Sequence, residues 1–472
     1  MRTLVPAILF LQLLVCARAR CGGDPHAPAS PTETWRALKR DWANSHLAFA
    51  EQCLARGWFG FADAQAGLAQ QLGGAEDAVD TFFRGREAQK ARAASGAASA
   101  RMPLWSTSDW EAYEAMRLRL HRAHVPRAVT LIARAREEGR DDIGHEIEAW
   151  ALRLAPDDAT LRTMRGEEYV AGMRWLPTDA ARHLKEGRVL SHGTWRDPSS
   201  LSCSSWADAY EIPTEHFRLI TTVPYAEALG LAGDLESAYA VWREVHEGVA
   251  SLDLPCADPS DRKTFPVVRV FRTRAEYLDC IREVQPDAVG VSENPKVFGF
   301  AGTDGTYAEA FLHAEIPSEL GRYAVREHIV HEMGHLFRPR TCEGQDWCAE
   351  GLASLIEGLA HSRAASWNGS VTPPPRRCGG TWSASMIGRL PDLGADAFEG
   401  LGENGYRMAY WLAHYLAYAD AGAYRRDLLR FAISADAGRL GKNGFRGHFP
   451  YLDRDTLARC VRRYADAVSA RD

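Results

Sequence analysis

His331, Glu332 and His335 stand together in the run His-Glu-Met-Gly-His, and these residue types at this spacing can do metal chemistry. On a helix, positions i and i+4 lie one turn apart on the same face, so both imidazoles can aim a nitrogen at one cation. A zinc ion held this way keeps one coordination position open and lowers the pKa of its water towards neutrality. Glu332, one step round the helix, is placed to take the proton from that water. Two histidines give only two protein ligands, however, whereas a catalytic zinc normally has three. A second helical stretch, Trp347-Cys348-Ala349-Glu350-Gly351-Leu352-Ala353-Ser354-Leu355-Ile356-Glu357, offers the third in Glu350. Gly351 and Ala353 are small enough to let two helices approach closely. Glu357 lies two turns beyond Glu350 on the same face. The competing reading of Glu350 is an ordinary carboxylate near a helix N-terminus, favoured there by the macrodipole. His328, three residues before His331, is expected as a packed or hydrogen-bonded helix residue. A fourth ligand there would close the site and make it structural.

His-Glu-x-x-His followed by Trp-x-x-Glu-Gly-x-Ala resembles the gluzincin class of zinc metallopeptidases. The particular likeness is to the peptidase-MA-like domains of secreted bacterial proteins, with aminopeptidase N and thermolysin as more distant relatives. A third segment, Tyr406 to Leu416, resembles the aminopeptidase-type Tyr-x-x-Gly/Ala helix. The resemblance implies that Tyr406 donates a hydrogen bond to the oxyanion of the scissile carbonyl, with His414 or Tyr410 as alternatives. A core helix rich in aromatics is the competing reading. Two departures stand out. No aminopeptidase-type motif for gripping a substrate amino terminus is present, and Ser354 stands where thermolysin-like enzymes carry an acidic residue. The resemblance covers roughly the last 260 residues, and its zinc segments are its specific part.

The elements that must position these residues can be read along the chain. Arg2, the apolar run Leu4 to Val15 and Ala17-Arg18-Ala19 read as a secretory signal peptide over residues 1–19, too short to span a membrane. Val15 before Cys16 and Arg20 before Cys21 weigh against a lipoprotein. The expected location is therefore secreted, periplasmic or cell envelope, and no later stretch is apolar enough to cross a bilayer. The chain has ten cysteines and no Cys-x-x-Cys pair, which points to disulfides and not to thiolate zinc. Cys342 and Cys348 flank the loop between the two ligand helices, and a bridge between them would fix the distance from His335 to Glu350. A net charge of −6 over 472 residues gives no case for nucleic acid.

Residues 26–200 read as an all-helical region, either tetratricopeptide-like or an irregular bundle, without a clean 34-residue period. Ala88 to Arg101, rich in Ala, Lys, Arg and Ser, reads as a solvated helix or linker. After a Pro/Ser-rich break at 198–205, residues 206–472 read as the metallopeptidase-like domain. There Phe217–Val223 and Val267–Phe271 are expected strands with a helix, Tyr225–Val249, between them. Phe298–Ala301 and Thr306–His313 form an expected hairpin before the zinc helix, which is expected to start near Pro317-Ser318 and end at Phe337. Tyr307–His313 is the candidate edge strand for an extended peptide, with an internal strand as the equal alternative. The fold class is thus α+β: a helical region, then a gluzincin-type domain with a small sheet and a helical C-terminal half. The expected function is a secreted zinc-dependent peptidase acting on a peptide or protein, with a protein partner on the helical region a further expectation. The alternative is a cell-envelope binding or assembly protein whose metallopeptidase-like domain is structural or weakly active.

Overall fold

The computed structural model describes residues 29–73, 76–95, 107–249, 265–286, 289–293, 299–303, 308–315, 323–336, 346–361, 384–436, 439–440 and 444–469. Within these, helix predominates and a mixed sheet accompanies it. No helix among them is long and apolar enough to cross a membrane. The signal-like segment, Cys342, Tyr307 and both expected ends of the zinc helix lie outside the described residues.

Helix α1 (Pro31–Ala55) starts where Ser30 and Glu33 form a capping box, with Pro31 at the first helical position, where a missing N–H costs nothing. It is followed by α2 (Phe59–Gln71), α3 (Glu76–Ser95), α4 (Thr107–Glu137), α5 (Asp141–Leu154) and α6 (Ala159–Met164). The first five run 25, 13, 20, 31 and 14 residues, so no helix pair repeats the next. Trp35, Trp42, Leu131, Ile132 and Ile147 pack their apolar faces together. Lys90 departs from the solvated reading of its segment. It is buried and pairs with Asp427 at 2.7 Å, because α3 is covered by a helix from the other end of the chain.

The region is not wholly helical. Strands β1 (Glu167–Val170) and β2 (Arg174–Pro177) form an antiparallel hairpin, and after α7 (Thr178–Lys185) a second hairpin pairs β3 (Val189–Ser191) with β4 (Thr194–Arg196). Strands of three or four residues are too short to show an alternating pattern, which explains why sequence periodicity misses them. The chain continues through β5 (Tyr210–Pro213), β6 (Arg218–Thr221), α8 (Tyr225–His246), β7 (Val267–Phe271), α9 (Arg274–Val284), α10 (Val289–Ser292), β8 (Gly299–Thr303) and β9 (Ala308–His313). The seven-stranded sheet has the order β4-β3-β5-β6-β7-β9-β8, with β6, β7 and β9 parallel. Strand β9 therefore lies inside the sheet, between β7 and β8, and the edge beside it is β8. The internal alternative holds for this segment. Its buried Ala310, Phe311 and Leu312 agree, since an inner strand covered on both faces is apolar throughout.

The C-terminal half is helical: α11 (Tyr323–Leu336), α12 (Asp346–His361), α13 (Ala384–Ile387), α14 (Ala395–Glu399), α15 (Glu403–Gly422), α16 (Arg425–Asp436), α17 (Gly444–His448) and α18 (Arg454–Ser469). One hydrophobic core joins it to the rest of the chain. It contains Phe49 and Phe61 from the first two helices, Leu219 and Val268 from the sheet, and Met333, Leu352 and Leu412 from α11, α12 and α15.

Candidate metal centre

Helix α11 buries Ile329, Val330, Met333 and Leu336, and this packing fixes the direction of the intervening polar residues. His331 and Glu332 are buried and His335 is half-buried. Gly334 is the reason α12 can come so close. A Cβ there would lie 2.6 Å from the Cα of Ala353. The next contact is built the same way, since a Cβ on Gly351 would lie 2.6 Å from the carbonyl oxygen of Ala409 on α15. Small residues thus set the spacing of three consecutive layers, and the middle layer carries Glu350.

The outcome is a tight convergence of His331, His335 and Glu350. The two Nε2 atoms are 3.1 Å apart, His331 Nε2 is 3.1 Å from Glu350 Oε2, and His335 Nε2 is 3.5 Å from Glu350 Oε1. Tetrahedral ligands at zinc–nitrogen and zinc–oxygen distances would be separated by about 3.3 Å. His331 Nδ1 faces Glu357 Oε2 at 3.2 Å, a pairing in which this ring nitrogen is the donor and the carboxylate oxygen the acceptor. In the tautomer that donates from Nδ1, His331 turns the lone pair of Nε2 towards the shared point. Three such acceptors would repel one another; a cation between them removes the conflict. The residues present fit a zinc ion on these grounds. Burial alone would push the Glu350 carboxyl up, but positive charge on the imidazoles of His335 and His331, in the place a cation would take, holds it well below the usual carboxylate range.

Sequence reasoning placed Glu357 on the face of Glu350 but gave it no role. Its side chain is almost fully buried against His331, where it fixes the tautomer and orientation of the ring. The seven-residue interval from Glu350 was the available signal. His328 is not among the converging ligand atoms; its Nε2 is 3.9 Å from Glu332 Oε1. Tyr406 is half-buried at the start of α15, one turn before Ala409, with its ring 6.0 Å from Phe398. The two alternatives to it sit deeper. Tyr410 is fully buried against Trp411, and His414 Nδ1 lies 2.9 Å from the Tyr464 hydroxyl, with burial pushing its imidazole pKa down to about 3. Ser354 is fully buried four residues after Glu350. The Cys342–Cys348 bridge falls outside the described residues.

A second convergence, Glu215, His216 and Glu236, does not fit a metal. One oxygen of Glu215 is paired with Arg162, and the other is 3.1 Å from Arg174 Nε. His216 Nδ1 is 2.7 Å from Glu236 Oε2, and its ring stacks on Tyr239 at 3.6 Å. Two guanidiniums on one carboxylate would repel a further cation, so this is an ion network tying β2 and α6 to α8.

Comparison of the chain with family models, with curated proteins and with solved structures gives no match.

Proposed function

We propose that the chain is a zinc-dependent peptidase that hydrolyses peptide bonds with Glu332 as general base. The observation that carries this reading is the convergence of His331, His335 and Glu350 at tetrahedral spacing, with Glu332 next to His331 on the same helix. When bound, zinc supplies Lewis acidity, polarising a carbonyl and acidifying water. Glu332 takes the proton of the attacking water and later delivers it to the leaving amine. Tyr406 donates to the oxygen on which charge develops. The choice of a peptide as substrate rests on the gluzincin-like pattern and on β8. This edge strand packs beside α11, and an extended peptide can add to such an edge through main-chain hydrogen bonds. A location outside the cytosol belongs to the same proposal.

The decisive variant is Glu332→Gln, which keeps the shape and removes the base. Zinc content and thermal stability should stay at wild-type levels, while cleavage of casein or a mixed peptide library falls by about a hundredfold or more. Wild-type cleavage in this variant would overturn the assignment. A metal-loaded wild type that cleaves nothing would favour the binding or assembly alternative.

A further inference from the structure

Resting on the peptidase reading, we propose that His328 is a positioning residue that holds the Glu332 carboxylate in line for its proton transfer. His328 and Glu332 are four residues apart on α11, so their side chains rise from the same face one turn apart. His328 Nε2 stands 3.9 Å from Glu332 Oε1, while the atoms that converge for a metal are those of His331, His335 and Glu350 alone among the described groups with this set. The ring of His328 also lies near that of His331, with centroids 6.3 Å apart and planes at 29°. Its side chain is 24 % exposed and that of Glu332 9 %, so the imidazole is the more solvent-accessible member of the pair.

A carboxylate has two oxygens, and a general base needs only one of them within hydrogen-bond reach of the proton it takes. The other is free to swing unless a donor restrains it. His328 is placed to be such a donor, at a separation of 3.9 Å that a small side-chain rotation closes. A misplacement of about 1 Å at a reacting group costs on the order of a hundredfold in rate. The penalty should fall on turnover, because ground-state binding does not use the aim of the base.

The test uses the full chain and three variants, His328→Leu, His328→Gln and Glu332→Gln, with casein and one peptide that the wild type cleaves. His328→Leu should lower kcat by about tenfold to a hundredfold with KM within about twofold, and His328→Gln, which retains an N–H donor, should recover most of the loss. Zinc content and the visible absorption of the Co2+-substituted protein should match wild type in both His328 variants, since neither touches the ligand set. A silent His328→Leu beside an inactive Glu332→Gln would overturn the positioning role and leave the peptidase reading standing. Loss of zinc or a changed Co2+ spectrum in His328→Leu would make His328 a ligand and also overturn the role. A Glu332→Gln protein as active as wild type would remove the peptidase reading itself.

Discussion

At the scale of single residues, the proposed zinc site rests on a set of acceptors that a cation would reconcile. His331 and His335 meet nitrogen to nitrogen at 3.1 Å, and Glu350 closes the triangle. The expected zinc content is one ion per chain, absent in His331→Ala and His335→Ala and strongly reduced in Glu350→Ala. Wild-type zinc in the double histidine variant would end the argument. Glu357 gives a finer test. Because it holds His331 Nδ1 from behind, Glu357→Gln should keep the fold and weaken zinc affinity by about tenfold to a hundredfold, as read by competition with a chromophoric chelator. An unchanged affinity would mean that packing alone orients the ring.

At the scale of elements, the ligand triangle depends on how closely α11, α12 and α15 approach. Gly334 against Ala353, and Gly351 against Ala409, leave no room for a methyl group. Gly351→Ala should therefore cost about 1–3 kcal/mol by overpacking and, by displacing Glu350, lower zinc affinity as well. Gly230 in the middle of α8 is a matched control, because a Cβ there meets nothing within 4 Å. Gly230→Ala should stabilise by about 0.5–1 kcal/mol and leave zinc affinity unchanged. Urea midpoints and zinc titrations of the two variants check both halves. Equal behaviour would show that the helix spacing does not set the site.

At the scale of the whole molecule, the first helices are built into the fold that carries the site. Gly67 on α2 passes so close to Gly248, beyond α8, that a Cβ would lie 1.8 Å from its carbonyl oxygen. Buried Arg425, at the start of α16, donates to the carbonyl of Gly60 at 3.0 Å. The same layer makes stability sensitive to acid. Burial pushes the imidazole of His46 down to about 4, that of His121, with Arg117 nearby, to about 3, and that of His124, with Arg127 nearby, to about 4. His414 follows them at about 3 through burial. All four are neutral when folded at a pH where the unfolded chain, with a histidine value of 6.5, takes protons. Their contribution is complete above pH 6.5 and is lost as pH falls towards 4, by about 1.4 kcal/mol per pH unit for each histidine that follows this course. Glu215 has the opposite shift, lowered to about 2 against burial by His216, Arg162 and Arg174, and it weakens the fold only below about pH 4.5. Urea denaturation in chelator between pH 7 and 5 therefore isolates the histidines, and a flat midpoint across that interval would contradict the burial argument.

The sequence by itself determined what is local. The convergence of His331 and His335 is legible because helical periodicity alone puts i and i+4 on one face, and the approach of Glu350 to them because a two-histidine metal set would call for a third ligand. Val267–Phe271 is legible as a strand because it is a run of β-branched and aromatic residues. Tertiary structure decided the rest, since it depends on which surfaces meet. Strand β9 has the composition of a strand at any position; only its pairing with both β7 and β8 makes it internal and leaves β8 at the edge. Lys90 reads as solvated until α16 covers it, and Glu357 reads as one more helix carboxylate until α11 presses His331 against it. His328 faces Glu332 by helix spacing alone, four residues away on α11; what the sequence does not show is that its atoms stay out of the convergence of His331, His335 and Glu350. For β9, Lys90 and Glu357 the role is set by a partner far along the chain or by burial, and neither is encoded in the spacing of nearby residues.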